Sequence, residues 1–291
     1  MRLKEIRSMI SDRLKKAGIE SYDYESWLYL DWLLSVSRAD YYLDPGREIS
    51  GESMDNLEEM LRRREGHYPL QYLMGNCEFM GYSFHVDERV LIPRQDTECL
   101  VEEVVHYIRG QKDSAEGKGR MRVLDLCSGS GCVGISLKLL CPYVDVVLSD
   151  LSQDAVDLAA ANAMDLSAPV TLLQGDLYEA LEGLPGEERV FDLIVSNPPY
   201  IPTGVLKDLM PEVREHEPLM ALDGREDGLL YYRRITEGAS YHLKEGGSLF
   251  FEIGADQAEA VGDLMRCHGF REIYVRKDLA GLDRIICGRL S

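Results

Sequence analysis

Long apolar runs are missing from this chain. No stretch approaches the roughly 18 apolar residues that a membrane-spanning helix requires, so no membrane span is expected. Paired cysteines are missing as well. The seven cysteines, at positions 77, 99, 127, 132, 141, 267 and 287, are odd in number, form no Cys-x-x-Cys pair and have no histidine cluster beside them. Neither a disulfide framework nor a metal site is expected, and this cysteine usage fits a reducing, cytoplasmic compartment. The amino terminus, Met1-Arg2-Leu3-Lys4-Glu5-Ile6-Arg7, has no apolar signal core. It is basic and amphipathic, as a transit peptide is, but Glu5 and Asp12 are out of place in one, and an ordinary first helix is expected. Positive charge is scarce: Lys+Arg 32 against Asp+Glu 51 gives a net charge of −19. Phosphate neutralisation dominates nucleic-acid affinity, so stable nucleic-acid binding is not expected. The excess is uneven. Residues 1–75 carry 11 basic and 14 acidic groups, and residues 76–291 carry 21 and 37.

What is present divides into three parts. Residues 1–75 read as helical. Leu3, Ile6, Ile10 and Leu14 fall on one face, Gly18 ends that segment, and 24–36 is apolar almost all round, as in a buried helix. Residues 57–64 suggest a further helix. It ends in Arg62-Arg63-Arg64, which is by default a solvated face and otherwise a local partner contact. Residues 76–93 form a connector, in which Glu78 to Val86 alternates around Gly81 and reads as a β-hairpin. From 94 to 291 strand and helix patterns alternate. Strands are expected at 122–126, 144–149, 170–174, 191–196, 247–253, 272–276 and 284–287, and helices near 95–109, 132–140, 152–164, 228–243 and 256–267. This is an α/β, doubly wound, Rossmann-like sheet of seven strands. No helix separates the last two strands, so the last is expected to run antiparallel. Segments 110–120 and 182–189 read as polar surface loops.

Chemistry gathers at four strand ends. The first strand runs through Asp125 and Leu126 into Cys127-Ser128-Gly129-Ser130-Gly131, a glycine turn opening a helix. Such a turn lets a ligand approach the backbone. The dinucleotide fingerprint Gly-x-Gly-x-x-Gly is not expected here, because Gly129, Gly131 and Gly134 are preceded by no earlier glycine and followed by no context for a pyrophosphate. The second strand ends in Asp150, placed to accept both hydroxyls of a ribose, and the third in Gly175-Asp176-Leu177, where the acid can accept from an adenine amino group. Singly, Asp150 and Asp176 read equally as helix caps or solvated loop acids. The fourth strand ends in Asn197-Pro198-Pro199-Tyr200. Proline fixes φ and lacks an N–H, and it pushes the preceding residue into extended geometry. The outcome is a rigid corner. It is either a structural Pro-Pro turn or a holder for a planar NH2 group, with the Asn197 oxygen and the Pro198 carbonyl accepting and the Tyr200 ring on its face. A ligand with a ribose and an adenine but no polyphosphate fits the three neighbouring ends, and S-adenosylmethionine is such a ligand.

Over nearly its whole length the chain resembles the peptide chain release factor glutamine N5-methyltransferases. The matching stretches are Pro69 to Gly75, Glu78-Phe79, Leu91 to Arg94, the Asp125–Gly131 turn, Asn197–Tyr200, Glu217-Pro218, Asp227 to Leu229, Glu252-Ile253-Gly254 and Asp283-Arg284. Asn-Pro-Pro-Tyr is shared with DNA amino-methyltransferases and specifies only a planar NH2; residues 69–75 and 217–229 point to the release factor enzymes. Two departures stand out: the family usually has glycine where Cys127 stands, and commonly Pro-Glu where Gln95-Asp96 stand.

The resemblance implies a class I methyltransferase domain at 94–291, joined by the 76–93 hairpin to a substrate-recognition domain at 1–75. That helical domain would grip a class 1 release factor and deliver its Gly-Gly-Gln loop. S-adenosylmethionine would be lined by Asp125, Cys127, Ser128, Gly129, Ser130, Gly131, Asp150, Asp176, Leu177 and Asn197, with Pro93 and Arg94 closing the site. Asn197, Pro198, Pro199 and Tyr200 would hold the glutamine, with Asn197, Pro198 and Tyr200 catalytic. Two alternatives remain from the residues: an amino-methyltransferase acting on adenine or cytosine, and a non-catalytic S-adenosylmethionine-binding protein.

Overall fold

The computed structural model describes residues 1–49, 51–111 and 120–291. In chain order the elements are α1 (Leu3–Lys16), α2 (Tyr22–Leu34), α3 (Arg38–Leu43), α4 (Glu52–Glu65), α5 (Leu70–Met74), β1 (Asn76–Phe79), β2 (Tyr82–His85), α6 (Gln95–Gln111), β3 (Arg122–Leu126), α7 (Cys132–Leu140), β4 (Asp145–Asp150), α8 (Gln153–Asp165), β5 (Thr171–Gln174), β6 (Phe191–Ser196), α9 (Pro211–His216), α10 (Leu230–His242), β7 (Leu243–Glu252), α11 (Ala258–Cys267), β8 (Phe270–Lys277) and β9 (Asp283–Leu290). They divide into two compact units. One is Met1–Met74 with Pro211–His216; the other is Gly75–Met210 with Glu217–Ser291.

In the helical unit, Leu3, Ile6, Ile10 and Leu14 form the buried stripe of α1. Gly18, at φ +83°, ends that helix in the left-handed conformation glycine adopts without strain. Ser37 starts α3 by accepting from the Asp40 backbone N–H at 3.1 Å while Asp40 accepts from the Ser37 N–H in return. The three consecutive arginines at the end of α4 have three different fates. Arg62 pairs with Glu59 one turn back, and Arg63 lies 3.9 Å from the centre of the Tyr68 ring. Arg64 is not solvated. It is buried, donates Nε and Nη2 to Glu25 at 2.8 and 3.0 Å, and donates Nη1 to Glu212 of α9 at 3.1 Å.

The second unit opens with the hairpin β1–β2, paired from Asn76↔His85 to Phe79↔Tyr82. Its two-residue turn, Met80-Gly81, has both φ values positive, which suits the twist of the flanking strands. The seven-stranded sheet follows the order β5-β4-β3-β6-β7-β9-β8. The first five of these strands are parallel, and β9 runs antiparallel to both β7 and β8. Alternate residues feed two cores. Leu193, Val195 and Phe250 face one side with Leu100, Ile135 and Leu148; Ile194, Phe251 and Leu124 face the other with Tyr232 and Ile235. Strands buried on both faces read as continuous apolar runs, and these do. From β3 the chain winds outward through β4 and β5, then returns to place β6 on the opposite side of β3. Ligand sites of open α/β sheets form at such a reversal, outside the strand carboxyl ends.

Two loop expectations resolve differently. Most of 110–120 lies outside the described residues. The expected loop at 182–189 is largely 3-10 helical, with turns at Leu177–Gly183 and Gly186–Arg189.

The Glu25–Arg64–Glu212 cluster yields a stability test. Removing one partner of a buried ion pair strands the other charge, at a cost of about 3–5 kcal/mol. Both tryptophans, Trp27 and Trp32, lie in α2, so their fluorescence reports the helical unit. Urea unfolding of Arg64→Ala, followed by this fluorescence, should show a loss of about that size; a loss below about 1 kcal/mol would remove Arg64 from its structural role.

Candidate active site

Parallel pairing aligns the strand ends. Leu126 pairs with Ser149 on one side and Ser196 on the other, so the next row holds Cys127, Asp150 and Asn197, and Asp150 pairs with Gln174, the residue before Gly175. Above this edge lies a cleft of about 1000 Å³, counting its open mouth.

The β3 turn owes its shape to small residues and a buried acid. Asp125 accepts from the Gly134 N–H at 2.8 Å, tying the first turn of α7 to the strand. A Cβ on Gly134 would come within 2.9 Å of that same carboxylate oxygen. Burial pushes the Asp125 carboxyl up to about 8, and the Gly134 N–H pulls against it. Gly129, Gly131 and Gly134 do carry the Gly-x-Gly-x-x-Gly spacing, which corrects the sequence reading. Cys127 takes φ +61°, the left-handed conformation that glycine usually occupies in related turns. Its thiol is raised well above the ordinary range, chiefly by burial and then by the Asp150 charge.

Asp150 accepts from the Gly129 N–H at 2.8 Å and from the Ser152 N–H at 3.0 Å, one donor per oxygen. Each oxygen thus keeps capacity for a further donor. Burial pushes its carboxyl above the usual range, and those N–H groups pull it back. The β5 end is pinned because a Cβ on Gly175 would stand 2.6 Å from the Ala180 Cα. Asp176 accepts from Arg234 at 3.0 Å through one oxygen. The Ser128 hydroxyl, at the cleft wall, is buried with no hydrogen-bond partner among the described residues.

At the β6 end, Ser196 donates to the Leu126 carbonyl at 2.7 Å, and Asn197 donates through Nδ2 to the Thr97 hydroxyl at 3.2 Å. Gln257 donates to the Tyr200 carbonyl at 3.0 Å, and Ile201 donates its N–H to the Leu222 carbonyl at 3.0 Å and accepts at its carbonyl from the Gly224 N–H at 2.9 Å. A Cβ on Gly228 would come within 2.3 Å of the Tyr200 carbonyl oxygen, so residues 217–229 lie directly against the Asn-Pro-Pro-Tyr corner. Arg94 reaches across to Glu217, whose buried carboxyl is pushed up by desolvation and pulled down by that guanidinium.

The cleft brings together most residues that the sequence singled out: Pro93, Arg94, Asp125, Cys127 to Ser130, Asp150, Asp176, Leu177, Asn197 and Pro199. Gly131, Pro198 and Tyr200 are not among its lining residues. Gly131 starts α7, where a Cβ would meet Ile135 at 2.8 Å. The Tyr200 hydroxyl faces Glu252 at 3.4 Å. Sequence reasoning passed over Thr97, Glu252, Met220 and Tyr231, although the first two stand in or beside matched stretches. The Cys127 backbone gives a direct test. A β-branched side chain tolerates φ > 0 poorly. Cys127→Val should therefore cost about 1–3 kcal/mol in denaturant unfolding, and equal stability would show that the turn is not held left-handed.

Comparison with known proteins places this geometry. Residues 5–75 match the family model described as PrmC N-terminal domain, and residues 113–210 match the Methyltransferase small domain. A protein of Clostridium acetobutylicum named release factor glutamine methyltransferase is 37% identical over 288 residues, covering 98% of each chain. One of the same name from Geobacter sulfurreducens is 40% identical over 278 residues, covering 96% of this chain and 93% of its own. The solved structure of the T. thermophilus 16S rRNA N2 G1207 methyltransferase, 17% identical with a TM-score of 0.50, covers 74% of this chain and 50% of that one, and shares the fold. With relatives this similar over nearly the full length, the chain belongs to the release factor glutamine methyltransferase family.

Proposed function

We propose that this chain methylates the side-chain nitrogen of the glutamine in the Gly-Gly-Gln loop of class 1 peptide chain release factors, using S-adenosylmethionine. The observation that carries this is the shared strand-end row: Asp150 and Asn197 flank Cys127 at one edge of the sheet, beside one cleft. Family membership supplies the substrate class.

The residues present fit the cofactor. Asp150 keeps an acceptor site on each oxygen for a ribose diol, Asp176 keeps one oxygen free of Arg234 for an adenine amino group, and the unpartnered Ser128 hydroxyl faces the same cleft. When bound, S-adenosylmethionine supplies a methyl group on a positively charged sulfur, which suits an acidic cleft.

The protein's part is to place and polarise an amide. An amide nitrogen is a poor nucleophile because its lone pair is delocalised. Asn197 gives its NH2 to Thr97, so its oxygen is the end left to accept from the substrate NH2, and the Pro198 carbonyl is the second acceptor. Fixing the amide nitrogen at one place and angle would supply up to about 7–11 kcal/mol through proximity. As the nitrogen took the methyl and the methyl–sulfur bond broke, leaving its electron pair on sulfur, the nitrogen's hydrogens would become more acidic, and both hydrogen bonds would tighten where tightening accelerates the reaction. One of those hydrogens leaves as a proton after transfer.

Pro93 and Arg94 close the cleft, with Arg94 held by Glu217, and the helical residues 1–75 grip the release factor. No helix among the described residues is long and apolar enough to cross a membrane. The test is to offer radiolabelled cofactor with a release factor, its Gly-Gly-Ala variant, and DNA. Label on the first alone supports the assignment; label on DNA or on nothing overturns it. Asn197→Ala should fold, still bind cofactor and lose at least ~10²-fold in turnover. Asp150→Ala should weaken cofactor binding by ~10–100-fold in calorimetry, the worth of a charge-assisted hydrogen bond, and unchanged affinity would remove the ribose role.

A further inference from the structure

Two prolines leave the Asn197–Tyr200 corner short of handles. Pro198 and Pro199 have no N–H to give, so this stretch of backbone has to be held through carbonyls or side chains. Gln257 supplies such a hold. It is 8% exposed and stands directly before α11, whose Val261 N–H donates to its carbonyl at 3.0 Å. Its own N–H donates to the Gly254 carbonyl at 3.0 Å, and its Oε1 accepts from the Gly254 N–H at 2.9 Å. Gripped by both backbone groups of Gly254, the side chain then donates through Nε2 to the Tyr200 carbonyl at 3.0 Å and to the Gly228 carbonyl at 3.5 Å.

These partners fix which end of the amide points where. An N–H needs an acceptor and two carbonyls need donors, so Oε1 belongs on Gly254 and the NH2 on Tyr200 and Gly228. Glutamine meets both needs with one side chain. A carboxylate has no hydrogen for the carbonyls, and an apolar side chain serves neither partner. The junction has no spare room. A Cβ on Gly224 would stand 2.8 Å from the Tyr200 Cα and from the Gly228 Cα, and one on Gly228 would stand 2.8 Å from the Gln257 Nε2.

We propose that Gln257 is the positioning residue that sets the Asn197–Tyr200 corner, tying it and the 217–229 segment to the end of β7. The rings of Pro198 and Pro199 fix φ at both residues, so little slack separates the held Tyr200 carbonyl from the Pro198 carbonyl two residues earlier. Pro218, Met220 and Ala221 of the tied segment line the cleft, so one buried amide aligns the corner with that wall. The catalytic meaning rests on the proposed function; the hold on Tyr200 does not. Gln257 does not line the cleft, and neither it nor its partners belong to the segments that carry Asp125, Asp150 and Asp176. Its loss should therefore slow transfer and spare cofactor binding.

The pair Tyr-Ile occurs twice in the chain, at 107–108 and 200–201. Tyrosine labelled with carbon-13 at its carbonyl, together with isoleucine labelled with nitrogen-15, thus gives two NMR cross-peaks in the full-length protein, and Tyr107→Phe identifies which is which. A carbonyl that loses a hydrogen bond changes its chemical shift. In Gln257→Met, which nearly keeps the side-chain shape, the Tyr200–Ile201 peak should move while the Tyr107–Ile108 peak stays. With release factor, kcat should fall about 10-fold, with KM and cofactor Kd within about twofold and the calorimetric number of cofactor sites unchanged. Should Gln257→Met fail to fold, Gln257→Glu keeps the acceptor for the Gly254 N–H, removes only the donor, and carries the same expectations. An unmoved Tyr200–Ile201 peak, a parental kcat, or a cofactor affinity that falls in step with kcat overturns the proposal. If the parent does not methylate release factor, the proposed function falls while the peak still decides the hold on Tyr200.

Discussion

Parallel register at the β3–β4 and β3–β6 seams is the constraint on which the site depends. Side chains alternate along a strand, so a one-residue slip at either seam would turn Asp150 or Asn197 to the opposite face. Burial on both faces prevents the slip. Leu193 and Val195 enter one core and Ile194 the other, and exchanging them would expose neither set but would mispack both. The hydrophobic cores thus set the row in which Cys127, Asp150 and Asn197 stand.

Acids then accumulate at an edge with little water. Asp125, Asp150, Glu217 and Glu252 are all pushed above their ordinary range, in each case chiefly by burial. Each is held by a different donor: the Gly134 N–H, the N–H groups of Gly129 and Ser152, the Arg94 guanidinium, and the Tyr200 hydroxyl. Of the acids, Asp125, Asp150 and Asp176 line the cleft itself, which favours a ligand that brings positive charge and disfavours phosphate. The net charge of −19 points the same way over the whole chain.

Legibility in the sequence followed from how local each feature is. Strands β3 and β6 were readable residue for residue, because each is an apolar run ended by turn chemistry. Strands β8 and β9 extend further than their apolar stretches, since Arg271 and Arg276 are held by pairing with Arg289 and Ile285 of β9 rather than by composition, while Glu272, at φ +53°, stands in the irregularity between Arg271 and Tyr274. Helices α3 and α5, of six and five residues, are too short to show a period. Arg64 looked like its two neighbours because its partners, Glu25 and Glu212, lie 39 and 148 positions away. The same reason hid Thr97, which meets Asn197 across 100 positions, whereas Asp150 and Asn197 announce themselves as polar residues at the ends of apolar strands.

The central claim is that one sheet edge holds both the cofactor and the amide it methylates. It is tested most directly by a crystal structure with S-adenosylhomocysteine and a peptide containing Gly-Gly-Gln. The expected density has ribose hydroxyls on Asp150 and the glutamine NH2 donating to the Asn197 side-chain oxygen and the Pro198 carbonyl. A glutamine bound away from Asn197, or an Asn197 amide turned with its NH2 toward the peptide, would contradict it.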